Sequence, residues 1–259
     1  MNRIQLDNTN YKIFSKGVES IIYLYDDNTL LKYFRDEETE KLIEDLYKKY
    51  GDLDWYTTNR GKVIDKKALI NKRKKLNIIK ELDCLKNEIK LYDLAYKDDE
   101  FKGYTMEKSD YKPINVYERK SKKINYLKLI REKIRFLNDN GIFICDFKTD
   151  NFLVSKDGKN IKLCDLDNLY LKDFNLKCDT EHRFTQNFNK YCNKKEYVDS
   201  YCFNLFTIAY LNKIAHEALD IKSERLPHIL NTKENRDIMD SIINLDDSYQ
   251  PRYLIDNLR

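Results

Sequence analysis

Between Ile142 and Leu171 the chain reads IFICDFKTDNFLVSKDGKNIKLCDLDNLYL. Polar side chains recur there against short apolar runs. Asp146 follows Ile142-Phe143-Ile144, Asn151 comes directly before Phe152-Leu153-Val154, and Ile161-Lys162-Leu163 delivers Asp165. Lys156-Asp157-Gly158 separates the last two runs, and Gly158 can take a positive φ, so a β-hairpin is predicted. A carboxylate on a loop, an amide five positions later and a carboxylate at the next strand end are hard oxygen donors. Such donors suit Mg2+, which keeps part of its water shell and takes nucleotide phosphates into the rest.

D-x-K-x-x-N at Asp146, Lys148 and Asn151, then a hairpin, then an apolar strand ending in Asp165, resembles the catalytic and metal-binding loops of the protein-kinase-like fold. The resemblance implies ATP and Mg2+ and gives each residue a role. Asp146 would be the catalytic Asp that accepts the proton of the acceptor hydroxyl. Lys148 would steady the γ-phosphate, as in Ser/Thr kinases. Asn151 would be the second metal ligand, and Asp165 would hold Mg2+ against the β- and γ-phosphates. Two positions depart from the eukaryotic pattern. H-R-D reads Ile144-Cys145-Asp146, without the Arg that pairs with a phosphorylated activation loop, so no such switch is expected. D-F-G reads Asp165-Leu166-Asp167. Asp167 either adds a carboxylate near the metals or caps a local turn.

These side chains need elements to position them. Tyr11–Phe14, Ile21–Tyr25 and Thr29–Phe34 read as three strands separated by polar turns. By the resemblance, the first turn, with Gly17, covers the ATP phosphates, and Lys32 on the third strand reaches the α- and β-phosphates. A lysine within an apolar strand needs a partner anion; the alternative is a solvent-facing lysine on an edge strand. Gly17 is the sole glycine of that turn, where the eukaryotic pattern is G-x-G-x-x-G, so the backbone approaches phosphates less freely. Asp36–Tyr50 is amphipathic, and 36–64 reads as an insertion. A second helix is expected from Asp65 to Leu85. Its basic residues Lys66, Lys67, Lys72, Arg73, Lys74 and Lys75 are expected on a solvated face. A helix glutamate should pair with Lys32; Glu81 is favoured, with Glu40 and Glu44 as rivals.

Glu88–Tyr96 and Phe101–Glu107 read as two antiparallel strands. The second resembles the last strand and hinge of a kinase small lobe. That implies Met106 at the gatekeeper position and adenine bonded to the Glu107 carbonyl and the Ser109 N–H. Tyr126–Asn138 is a predicted helix with Leu127, Ile130, Ile134 and Leu137 on one face, ended by Asn140-Gly141. Lys172–Lys195 reads as polar and irregular. Asp199 opens a long apolar helix and, by the resemblance, bonds backbone amides of the catalytic loop, with Phe203, Phe206, Ile208 and Leu211 in the core. His216–Arg259 reads as two or three short helices, a reduced large lobe.

Composition sets outer limits. The chain has 259 residues, 41% hydrophobic and 36% charged, enough for a folded domain or two small lobes. The 48 basic and 44 acidic residues leave a net charge of +4, too balanced to argue for nucleic acid. Among the six cysteines (Cys84, Cys145, Cys164, Cys178, Cys192, Cys202) no pair has C-x-x-C spacing, and the three histidines do not cluster with them, which argues against structural zinc. Cys145 and Cys164 are expected as small buried hydrophobes. The N-terminus lacks an apolar signal region and no segment approaches a membrane span, so a cytoplasmic location with reduced thiols is expected.

The expected fold is α+β and bilobal: a small β-rich lobe with a helix over residues 1–108, and a larger, mainly helical lobe over 109–259, holding a nucleotide between them. The expected activity is ATP- and Mg-dependent phosphotransfer, with Ser/Thr in protein favoured by Lys148. A small-molecule kinase of the aminoglycoside or choline type is the first alternative, and a pseudokinase acting as a binding module is the second.

Overall fold

The computed structural model describes residues 1–6, 11–17, 19–37, 40–41, 63–174, 183–214, 219–220 and 226–257. Most of the 36–64 insertion, including Glu44, therefore lies outside the described residues. The protein is mixed α+β, and the chain divides into two compact units, Met1–Ser109 and Asp110–Arg259.

The amino-terminal unit is built on a six-stranded sheet: β1 (Arg3–Gln5), β2 (Lys12–Lys16), β3 (Ser20–Leu24), β4 (Thr29–Phe34), β5 (Leu91–Lys97) and β6 (Glu100–Glu107). Their spatial order is β1-β5-β6-β4-β3-β2. β1, three residues long, was not expected. It pairs parallel to β5, and a segment that short carries no periodicity of its own, so tertiary pairing decides it. β5 and β6 are joined by Asp98-Asp99, both at positive φ, the backbone that a two-residue hairpin turn requires and that Asp tolerates. β4 is an interior strand, and Leu30, Leu31, Lys32 and Phe34 are all buried; Lys32 is not on a solvent-facing edge. At Gly103 on β6 a Cβ would stand 2.0 Å from the Lys32 carbonyl oxygen. Only glycine lets the two strands approach there.

Helix α1 (Lys66–Glu81) starts at Asp65, whose carboxylate accepts the Ala68 N–H at 2.8 Å, an N-cap bond. It ends four residues before the predicted Leu85, because Leu82 is extended and Asp83–Leu85 forms a 3₁₀ turn. The basic run on α1 does not form one solvated face. Lys72 and Lys75 are buried beside Leu76 and Ile79, whereas Lys66, Lys67, Lys74 and Lys80 are exposed.

The carboxy-terminal unit is mainly helical. Its helices are α2 (Lys120–Asp139), α3 (Arg183–Tyr191), α4 (Val198–Asn212) and α5 (Lys233–Ile243). Leu127, Ile130, Ile134 and Leu137 of α2 are fully buried, as the helical spacing predicts, and Gly141 takes φ 71° just beyond the helix. Short strands β7 (Lys112–Pro113), β9 (Phe152–Val154) and β10 (Ile161–Leu163) form one small sheet. β8 (Ile142–Phe143) pairs with β11 (Tyr170–Leu171). Gly158 between β9 and β10 has φ 73°, as the hairpin turn required. The expectation of an irregular 172–195 is corrected over 183–191, which is helical. Phe184 and Phe188, one turn apart, are buried there with Thr185, a helical repeat outweighed in the sequence by polar neighbours. Among the described residues no helix is long and apolar enough to cross a membrane.

Candidate functional site

The loop between β8 and β9 holds the first polar group of interest. Phe147 is fully buried and packs on Phe152, Phe203 and Phe206 at centroid separations of 5.8, 6.1 and 6.2 Å. This aromatic plug fixes the loop in the unit's core, and Asp146 and Lys148 flank it. Cys145 has φ 57°, and the Asp146 N–H donates across it to the Ile144 carbonyl at 2.6 Å, a tight γ-type turn. A non-glycine residue there is costly and persists only where its surroundings over-determine it. They do. Asp199, at the start of α4, accepts the Ile144 and Cys145 N–H groups at 2.9 and 3.0 Å. The Thr185 hydroxyl donates to the Cys145 carbonyl. Asp199 is wholly buried, and burial pushes its carboxyl up to about 7, against the opposing pull of the two backbone N–H groups.

Asp146 is the hub of the local polar contacts. Its Oδ2 accepts from Asn151 Nδ2 at 2.9 Å and meets Lys148 Nζ at 2.9 Å. Asn151 Nδ2 also donates to the Asp146 carbonyl at 3.0 Å. The Asn151 amide nitrogen is thus spent on Asp146, and its oxygen is the atom left to face a cation or water. Lys148 Nζ also lies 3.8 Å from Asp165 Oδ2, so one ammonium reaches both carboxylates. Asp165, like Cys145, is left-handed, at φ 61°, and Asn168 Nδ2 holds its Oδ2 at 2.9 Å. The Cys164 N–H donates to the Asn151 carbonyl at 3.1 Å, and its thiol to the Asp150 carbonyl at 3.0 Å. These bonds tie the Asn151 turn to the Asp165 turn. Cys164 is only half-buried, so of the two cysteines expected to be buried only Cys145 is.

The carboxy-terminal unit therefore brings Asp146, Lys148, Asn151 and Asp165 together. Asp167, by contrast, is fully buried in the 3₁₀ turn Leu166–Asn168, whereas the Asp165 side chain keeps 19% exposure. Among the described residues no group of three or more His, Cys, Asp or Glu side chains is placed to hold a metal. The Asn151 amide oxygen and the partly exposed Asp165 carboxylate are hard donors of the kind Mg2+ takes when phosphates and water complete its shell.

In the amino-terminal unit, Lys32 is 5% exposed and its Nζ lies 5.6 and 5.8 Å from the centroids of Phe34 and Tyr104, close enough for cation–π attraction. Gly17 donates its N–H to the Ser20 carbonyl at 2.8 Å, closing the connection between β2 and β3. Glu81 is exposed in the last turn of α1. Of its rivals, Glu40 is buried and ion-paired with Arg35 at 2.5 Å. Met106 is buried opposite Leu30 and Leu91. Glu107 ends β6, with its N–H bonded to the Lys90 carbonyl at 2.8 Å and its Oε2 accepting the Lys90 N–H at 3.2 Å. Ser109 is the last residue of the unit.

Sequence reasoning missed Thr185 and Asn168. Asn168 has a signal in hindsight, because its three-residue offset from Asp165 suits a 3₁₀ turn. Thr185 has none, since its partner lies 40 positions away. A comparison with protein-family models finds no match, and neither does a comparison with curated proteins.

Proposed function

We propose that the protein is an ATP- and Mg2+-dependent phosphotransferase of the protein-kinase-like fold. Its favoured acceptor is a Ser or Thr hydroxyl in a protein, and its expected location is the cytoplasm. The reading is supported above all by the joining of Asp146, Lys148, Asn151 and Asp165 in one hydrogen-bonded group. Two left-handed residues, Cys145 and Asp165, shape that group. Left-handed backbone at a non-glycine residue such as Cys145 is costly and is found at functional sites.

In this reading Asp146 accepts a hydrogen bond from the acceptor hydroxyl, aims its oxygen at the γ-phosphorus and takes its proton as the bond to phosphorus forms. Lys148, already beside Asp146, neutralises charge on the transferring group. Lys32 contacts the α- and β-phosphates, and the Glu107 and Ser109 backbone receives adenine. Asn151 and Asp165 would hold Mg2+, which supplies charge neutralisation to the phosphates when bound. Asp167, buried in the turn Leu166–Asn168, would either add a carboxylate near the metal or cap the turn. Catalysis is then positioning plus electrostatics.

A second reading, a nucleotide-binding module without transfer, draws on α1, which buries Lys72 and Lys75 and leaves Glu81 exposed. Incubation with γ-labelled ATP, Mg2+ and a generic protein substrate separates the readings. Label on Ser or Thr supports the protein kinase. ATP turnover without protein labelling moves the acceptor to a small molecule. Binding without turnover supports the module.

A further inference from the structure

Lys72 on α1 is 1% exposed. A buried ammonium is costly without a carboxylate partner. Glu19, with 13% side-chain exposure, provides one at 3.8 Å. Glu19 belongs to the connection between β2 and β3 that also carries Gly17. Its carbonyl accepts the Arg35 N–H at 2.9 Å, and Gly17 bonds Ser20 at 2.8 Å. Lys72 Nζ also lies 5.3 Å from the centroid of Phe34, the ring that Lys32 Nζ approaches to 5.6 Å. One ion pair thus links helix α1, the β2–β3 connection and the surroundings of Lys32.

We propose that Glu19 and Lys72 are positioning residues whose contact holds the β2–β3 connection against α1, and that this hold sets the affinity for nucleotide phosphates. The proposal rests on the nucleotide-binding reading above. Neither residue is assigned contact with the nucleotide. A glycine-poor phosphate loop has less backbone freedom to adapt, so an external tie has more influence on where its N–H groups point. Partly buried ion pairs also resist salt better than exposed ones.

The test uses the full chain with Glu19→Gln, Lys72→Met, the double variant and Lys72→Arg. Two quantities are read: hydrogen exchange over Lys16–Ile21 without nucleotide, and the Kd for MgATP by calorimetry. Each neutral single variant is expected to speed exchange there and weaken MgATP about tenfold. The double variant should be no worse than either single one, because contacting residues are not additive. Lys72→Arg should keep both properties. Unchanged exchange and Kd in folded single variants, or fully additive losses in the double, would overturn the proposal. If Lys72→Met does not fold, Glu19→Gln and Lys72→Arg carry the same test. Wild-type protein that binds no MgATP would sink the nucleotide reading itself, and the exchange comparison would then decide whether the tie exists.

Discussion

Asp146 touches three of the contacts that define the site, and substitutions around it separate roles. Asp146→Asn keeps the shape and removes the proton acceptor, so transfer should fall by about 10²–10⁴-fold while the melting temperature stays close to wild type. Lys148→Met should cut kcat more than it raises the KM for ATP, because the lysine acts on charge that develops during transfer; steady-state kinetics read the split. Asp199 makes a different prediction. Its carboxyl ionises near the usual 3.8 in the unfolded chain and at about 7 in the fold. Between those values the native state keeps a proton that the unfolded chain has released. Its contribution to stability is therefore complete below about pH 4 and is lost as pH rises toward 7, at up to about 1.4 kcal/mol per pH unit. Urea unfolding of wild type and Asp199→Asn across pH 4–8 checks this. The wild-type advantage should shrink as pH rises, and parallel curves would contradict it.

Two elements make predictions about packing. Gly103→Ala on β6 would push a methyl group into the Lys32 carbonyl. It should destabilise the amino-terminal unit by about 1–3 kcal/mol, seen as a lower urea midpoint. Thr185→Val on α3 removes the hydroxyl that holds the Cys145 carbonyl. It should cost about 1 kcal/mol and slow transfer as well, since the turn that aims Asp146 loses one of its two supports; equal transfer at equal stability would contradict that role. These elements also show how far the sequence was legible. β4 was read to the residue, and the buried face of α2 was read correctly, because apolar periodicity there is strong. β1 and α3 were not read: one is too short for a pattern, and the other hides two phenylalanines among polar neighbours. The inward turn of Lys72 and Lys75 was misread, since sequence gives lysine to solvent by default. At the site, Asp146, Lys148, Asn151 and Asp165 stood out by type and spacing, and the bonds of Asp199 to the loop amides were implied by the kinase-like resemblance. Thr185 was not, because its contact is purely tertiary. The pairing proposed for Glu81 had little in the sequence to support it, and the helix leaves that side chain exposed.

The whole molecule comprises two compact units. The sheet unit carries Lys32 and Gly17, and the helical unit carries the Asp146 group. MgATP should raise the melting temperature in a concentration-dependent way, by the equivalent of about 2.7 kcal/mol at a hundred times Kd, and Asp165→Asn should lose most of the Mg2+ dependence of that rise. Whether the Asp146 group performs phosphotransfer is decided by single-turnover transfer of the γ-phosphate at saturating MgATP, wild type beside Asp146→Asn. The wild type should transfer, and the variant should lose about 10²–10⁴-fold with MgATP still bound. Equal rates in the two proteins, or no transfer by a wild type that binds MgATP, would contradict that role.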